Sequence, residues 1–143
     1  MDKIKIKIRE MTILDYEPVM ELWTKTNGIG LSEADSIENI SRYLDRNFGL
    51  SLVAEKEELI VGAVLCGHDG RRGYIHHLAV DEKYQMNGIG KIIMIECLNR
   101  LKKVRISKCH LFVFEDNVEG VKFWKTLGWI KREELNLMSL SIK

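Results

Sequence analysis

Ile4, Ile6 and Ile8 alternate with Lys5, Lys7 and Arg9, a period of two that predicts an opening strand with one solvated face. From about Thr12 to Thr26 the period lengthens. Ile13, Tyr16, Met20 and Trp23 recur at helical spacing, Thr12 or Asp15 can cap the start, and Asn27-Gly28 stops the run. Pro18, the only proline, fits the first turn of a helix and favours Asp15 as its start. A second helix is predicted from Ser36 to Asn47, with Ile37, Ile40, Tyr43 and Leu44 on one face.

The period then changes. The short apolar runs from Leu50 to Ala54 and from Leu59 to Leu65, joined by the charged turn Glu55 to Glu58, predict a hairpin. His68 to Gly73 is a second turn, and Tyr74 to Val80 a third strand of the group. A helix follows and runs to about Lys102, with Ile92, Ile93, Ile95, Cys97 and Leu98 expected to pack inward. His110 to Phe114 is predicted as a strand, and Asn117 to Leu127 as a helix with Val121 and Trp124 on its inner side and Gly128 at its end. Trp129 to Ile142 is expected as strand, turn and strand. No linker, internal repeat or low-complexity tract interrupts the series. One α+β domain over residues 1–143, built on a mixed sheet, is the expectation.

Composition narrows the function. At 143 residues, 45% hydrophobic and 30% charged, the chain has room for one ordinary core. A net charge of +1 supplies no broad positive field, so neither nucleic acid nor an anionic membrane is an expected partner. The basic run Lys102, Lys103, Arg105, Lys108 reads as the solvated end of a helix, without the interleaved aromatics of a single-strand binder. Cys66, Cys97 and Cys109 cannot all pair and none is spaced as CxxC, so free buried thiols and no metal are expected. The alternating N-terminus does not resemble a signal peptide, and no stretch approaches the ~20 apolar residues that span a bilayer. The expected location is the cytoplasm.

Candidate chemistry centres on YQMNGIGKIIMIECL, residues 84 to 98. Lys91 is followed by Ile92, and no glycine stands at the upstream spacing a P-loop requires. A dinucleotide fingerprint would need a glycine where Ile93 stands. What remains is a strand, a short connector, Gln85-x-x-Gly88-x-Gly90, and a helix. The first N–H groups of a helix lack intrahelical partners and carry the positive end of its dipole, so removing side chains at 88 and 90 lets a pyrophosphate approach them. Gln85 can brace the loop or touch the same anion. The alternative is structural: Gly88 as a turn residue and Gly90 as a packing residue.

Two stretches together resemble the GNAT superfamily of N-acetyltransferases, and in particular its small bacterial single-domain members. YIHHLAVDEKYQMNGIGKIIM is similar to that family's [QR]xxGxG motif with its preceding LxV strand, and VFEDNVEGVKFWKTLGW resembles its N…FYxxLGF segment. The resemblance implies an α/β/α domain around a mixed, mostly antiparallel sheet of six to seven strands with a splayed central pair. It implies acetyl-CoA as cosubstrate. Gln85, Met86, Asn87, Gly88, Ile89, Gly90 and Lys91 would hold the pyrophosphate. Leu78, Ala79 and Val80 would pair with the pantetheine arm and place the acetyl carbonyl. Asn117 matches the asparagine that contacts the pantetheine region, although helix capping is an equally sound role for it.

The implied reaction is direct attack of an amine on the thioester, which needs an oxyanion donor near Leu78 or Ala79 and a base. His76 and His77 are the base candidates. Strand alternation would let only one of them face the cleft, with His76 sharing parity with Tyr74, Leu78 and Val80. Two family groups are missing. Trp124 stands where many members carry the tyrosine acid, and so reads as cleft wall; Phe112 stands where some carry a glutamate base. Proton return would fall to water, Tyr74 or a histidine. The acceptor, a small-molecule or protein amine, would lie against the first two helices and the turns 27–31 and 68–73. Glu33, Asp35 and Glu38 there could attract a cationic amine, but read first as a solvated helix start. A non-catalytic acetyl-CoA-binding or sensing domain is the alternative function, and a homodimer through the apolar C-terminal strands the candidate assembly.

Overall fold

The computed structural model describes residues 5–142; Ile4, the first of the alternating isoleucines, lies outside them. The chain divides into two compact units, meeting in sequence between Phe112 and Val113. The first unit carries a five-stranded sheet in the order β1 (Lys7–Glu10), β2 (Leu52–Lys56), β3 (Leu59–His68), β4 (Gly73–Val80), β5 (Cys109–Leu111). Neighbouring strands run antiparallel except β4 and β5, which are parallel. The sheet is therefore mixed and mostly antiparallel, but among the described residues it has five strands where six to seven were expected. The hairpin from β2 to β3 turns at Glu57 and Glu58, both with positive φ (50° and 69°), the backbone twist that a two-residue hairpin loop demands.

Helices α1 (Tyr16–Thr24) and α2 (Ile37–Arg46) pack with one face of the sheet. Their core is Met11, Val19, Leu22, Trp23 and Ile40 against Val53, Ala63, Leu65 and Ala79. Pro18 lies in the first turn of α1, where its missing N–H costs nothing. Ser36 caps α2, its hydroxyl accepting from Asn39 N–H at 3.2 Å. Ahead of α1, Arg9 grips Asp15 through two bonds of 2.8 and 2.9 Å while Asp15 also accepts from Thr12 N–H. Burial alone would raise the Asp15 carboxyl; those bonds outweigh it and hold its pKa low.

Helix α3 (Ile89–Lys103) covers the opposite face. A Cβ on Gly62 would stand 3.0 Å from the Ile93 side chain, and one on Gly73 2.8 Å from that of Leu101, so both strand glycines admit the helix closely. The buried residues of α3 are Ile89, Gly90, Ile93, Met94, Cys97 and Leu101. Ile92, Ile95 and Leu98, expected inside, are 48%, 51% and 40% exposed. An i, i+4 stripe through 89, 93, 97 and 101 faces the sheet; Ile92 and Leu98 flank it about a third of a turn to either side, and Ile95 lies on the opposite side of the helix. All three thiols are free; Cys66 and Cys97 are buried, and Cys109 only half so.

The second unit contains α4 (Val118–Thr126), capped by Asn117 and followed by Gly128 at φ 94°. Val121 and Trp124 are half-buried within it, and Trp124 meets Trp129 edge-on at 5.2 Å. Residues 129–142 form no strand, and Ile130, Leu137, Met138, Leu140 and Ile142 stand exposed. This corrects the strand–turn–strand expectation: alternation supplies a face, but a strand also needs a ladder partner. The strand predicted over His110 to Phe114 shortens to Cys109–Leu111 for the same reason, since β4 pairs only that far.

Candidate active site

β4 carries the candidate catalytic residues Tyr74, His76 and His77. Its pairing with β5 runs through Gly73–Cys109, Tyr74–His110 and Ile75–Leu111 and then stops, while on its other edge β3 stays paired as far as Val80. Beyond Ile75 one edge of β4 has no ladder partner among the described residues. Backbone N–H and C=O groups seek partners, so an open edge in mid-sheet is a place where an extended ligand can add as a strand.

The middle of β4 is bulged. Leu65 pairs with His76 and Ala63 with Ala79, so His77 and Leu78 together oppose the single Val64, and His77 takes φ 55°. The bulge breaks alternation and corrects two sequence expectations. Tyr74 and His76 pair with Gly67 and Leu65 on the face of α1 and α2, whereas Val80 pairs with Gly62, which lies beneath α3. The four residues 74, 76, 78 and 80 therefore do not share one face. Nor do the two histidines point apart. The His76 ring lies 6.4 Å from Tyr43 of α2 and 6.3 Å from Phe112, the His77 ring lies 5.0 Å from Trp23 of α1, and the two rings are 6.4 Å apart. Tyr74 stacks on Phe112 at 6.4 Å, extending the aromatic group.

Burial lowers the pKa of His76, the neighbouring His77 adds to the effect, and Asp35 opposes it. The ring is therefore neutral at pH 7. His77 meets a partner that no local pattern announces: its Nε2 lies 2.9 Å from Asp35 Oδ1. Asp35 is 5% exposed and ends the 3-10 turn Glu33–Asp35, so it is not the solvated acid expected from sequence. Its other oxygen accepts from Ser32 N–H at 3.1 Å, and its carbonyl accepts from the Tyr16 hydroxyl at 2.7 Å. The Ser32-x-x-Asp35 spacing signals a capping box; the contact with β4 has no sequence signature.

After Val80 the chain makes a 3-10 turn, Glu82–Tyr84, capped by Asp81, whose carboxylate accepts from Lys83 N–H and pairs with Lys25 at 3.1 Å. The loop into α3 is then braced internally. Gln85 donates its amide to Val80 O at 3.0 Å, and Asn87 donates to Tyr84 O and Gln85 O at 3.0 and 3.1 Å. Met86 and Gly88 both adopt left-handed φ, 68° and 74°. A Cβ on Gly88 would touch nothing, so the backbone angle, not crowding, selects glycine there. The first bond of α3 runs from Ile92 N–H to Gly88 O, leaving the N–H groups of Ile89, Gly90 and Lys91 without intrahelical acceptors. The N-cap is a glycine and offers no side-chain oxygen. These donors suit an anion.

The profile of the acetyltransferase (GNAT) family matches residues 16–129, through both units. The chain belongs to that family. Solved GNAT structures share its fold. An acetyltransferase of the GNAT family from Staphylococcus aureus Mu50 superposes with a TM-score of 0.78 at 21% identity, covering 92% of this chain and 90% of that one. The PaiA N-acetyltransferase from Thermoplasma acidophilum, solved with coenzyme A, gives 0.76 at 23% identity over 92% and 93%. An aminoglycoside acetyltransferase from an uncultured soil metagenomic sample, solved with sisomicin, gives 0.75 at 18% over 96% and 97%.

In this GNAT chain the first unit carries Tyr74, His76, His77, Leu78, Ala79 and Val80 on β4, with Tyr74 and His76 on a different face from Val80, and the loop from Gln85 to Lys91 follows in the same unit. In the second, Asn117 accepts from Gly120 N–H at 2.9 Å, the capping role foreseen for it, and Trp124 sits between Phe123 and Trp129. Among the described residues no helix is long and apolar enough to cross a membrane.

Proposed function

We propose that the chain is an acetyl-CoA-dependent N-acetyltransferase, acting as a single domain on a primary amine of a small molecule or a protein. The observation that supports it best is the open edge of β4 beyond Ile75, followed after one 3-10 turn and a short loop by a start of α3 that no side chain caps. In this reading the pantetheine arm pairs along Leu78, Ala79 and Val80. The diphosphate lies on the N–H groups of the loop, where Met86, Asn87, Gly88, Ile89, Gly90 and Lys91 surround it, with Gln85 holding the loop rather than the anion. Asn117 and Trp124 complete the cofactor set by resemblance to the family.

The acceptor amine attacks the acetyl carbonyl as a neutral nucleophile. A β4 amide at Leu78 or Ala79 steadies the oxyanion, an effect worth ~3 to 4 kcal/mol in comparable acyl transfers. His76 and His77 are the proton acceptors at hand, and Tyr74 can return a proton to the thiolate. No metal has a part. Three unpaired thiols suit a reducing cytoplasm.

Acetyl-CoA consumption over tyramine, spermidine, sisomicin and a lysine-bearing peptide tests the reading. Turnover with at least one amine, and mass-spectrometric acetylation of its nitrogen, is expected. Acetyl-CoA binding with no transfer to any amine would favour the non-catalytic alternative.

A further inference from the structure

Asp35 and His77 lie 42 positions apart, on a 3-10 turn and a bulged strand, yet their side chains meet at 2.9 Å in a largely buried setting. Three constraints converge on the imidazole. The bulge places His77 at φ 55°, a backbone region rarely occupied by residues with side chains and one that concentrates at functional sites. The indole of Trp23 abuts the ring edge-on at 5.0 Å. Asp35 takes Nε2. No side-chain hydrogen bond engages Nδ1 among the described residues.

The other partner of the Asp35 side chain, Ser32 N–H, helps fix the proton. It donates to Oδ2, and a carboxylate offers acceptors only, so opposite it Nε2 is the donor to Oδ1. A neutral imidazole with its proton on Nε2 has its lone pair on Nδ1. We propose that Asp35 is a positioning residue for His77, fixing the ring with its proton on Nε2 so that Nδ1 takes the proton from the acceptor amine. This rests on the acetyl-transfer reading and selects between its two histidines. The step balances. The amine nitrogen bonds to the acetyl carbon, the carbon–sulfur bond breaks, the amine proton passes to Nδ1, and the imidazolium gives it to the departing CoA thiolate. Asp35 neutralises the imidazolium in between.

The titratable groups around His77 are Asp35 and His76, with the Tyr16 phenol bonded to the Asp35 carbonyl. His76 cannot share the role equally, because nothing comparable orients its ring among Tyr43 and Phe112.

Asp35→Asn is the informative variant. Ser32 N–H demands the amide oxygen, which turns the amide NH2 toward His77 Nε2 and forces the ring proton onto Nδ1. A purely structural pair would survive this change with its hydrogen bonds intact. Long-range 1H–15N spectra of the unaltered protein should report Nε2–H for His77, and those of Asp35→Asn should report Nδ1–H. With the fastest amine of the panel, kcat of Asp35→Asn should fall on the order of 10²- to 10⁴-fold while KM for acetyl-CoA stays within about twofold. His77→Ala should recover part of its lost rate with added imidazole. Nδ1–H in the unaltered protein, or full kcat in Asp35→Asn, overturns the proposal while leaving the acetyl-transfer reading in place. Failure of acetyl-CoA to bind the unaltered protein overturns both.

Discussion

Gln85 turns its side-chain amide back to the carbonyl of Val80 at 3.0 Å, joining the end of β4 to the loop that opens α3. One hydrogen bond thus couples the strand edge proposed for pantetheine to the donors proposed for diphosphate. Gln85→Ala should weaken CoA binding about 3- to 10-fold, the worth of one such bond near 1 kcal/mol, and leave the melting temperature nearly unchanged. Titration calorimetry checks it.

Gly88 is held at φ 74° with open space where a side chain would project. Gly88→Ala should therefore destabilise by about 1 to 2 kcal/mol through backbone strain alone, whereas Gly88→Asn, which tolerates the left-handed region, should cost less. Urea unfolding of the two variants separates strain from crowding. Equal losses would point to crowding instead.

Burial depresses the pKa of His76 below its ordinary 6.5, so the unfolded chain binds the proton first as pH falls. The associated stability is complete above about pH 6.5 and is lost as acid protonates the ring. Replacing the ring by His76→Phe should flatten the decline in unfolding free energy between neutral and mildly acidic pH. Chemical denaturation at a series of pH values measures that slope.

The two faces of α3 should differ sharply. Ile93 is fully buried beneath Gly62 while Ile92 is 48% exposed. Ile93→Ala is expected to cost about 2 to 5 kcal/mol and Ile92→Ala about 0.5 or less. Comparable costs would mean that the outer face is covered in solution.

Local signals in the chain carry much of this architecture. The paired glutamates at 57 and 58 mark the hairpin, Pro18 and Ser36 mark helix starts, and the spacing of Gln85, Gly88 and Gly90 marks the loop. Three features escape such reading, each for a physical reason. Helix α3 is apolar on more than one side, so periodicity finds the helix without choosing between Ile93 and Ile92. The β4 bulge inserts one residue at His77, and alternation cannot report an insertion whose cause lies in the pairing with Val64. The contact between Asp35 and His77 joins positions 42 residues apart, beyond any local pattern. The C-terminal run of Met138, Leu140 and Ile142 has strand-like spacing, but forms no ladder.

The central claim is that the amides at the start of α3 grip a diphosphate. Calorimetric titration of the protein with CoA and, separately, with pantetheine, which lacks the diphosphate, tests it most directly. CoA should bind on the order of 100-fold more tightly than pantetheine, as expected for two or more charge-assisted hydrogen bonds. Equal affinity for the two, or no heat with CoA from a folded protein, would contradict the account.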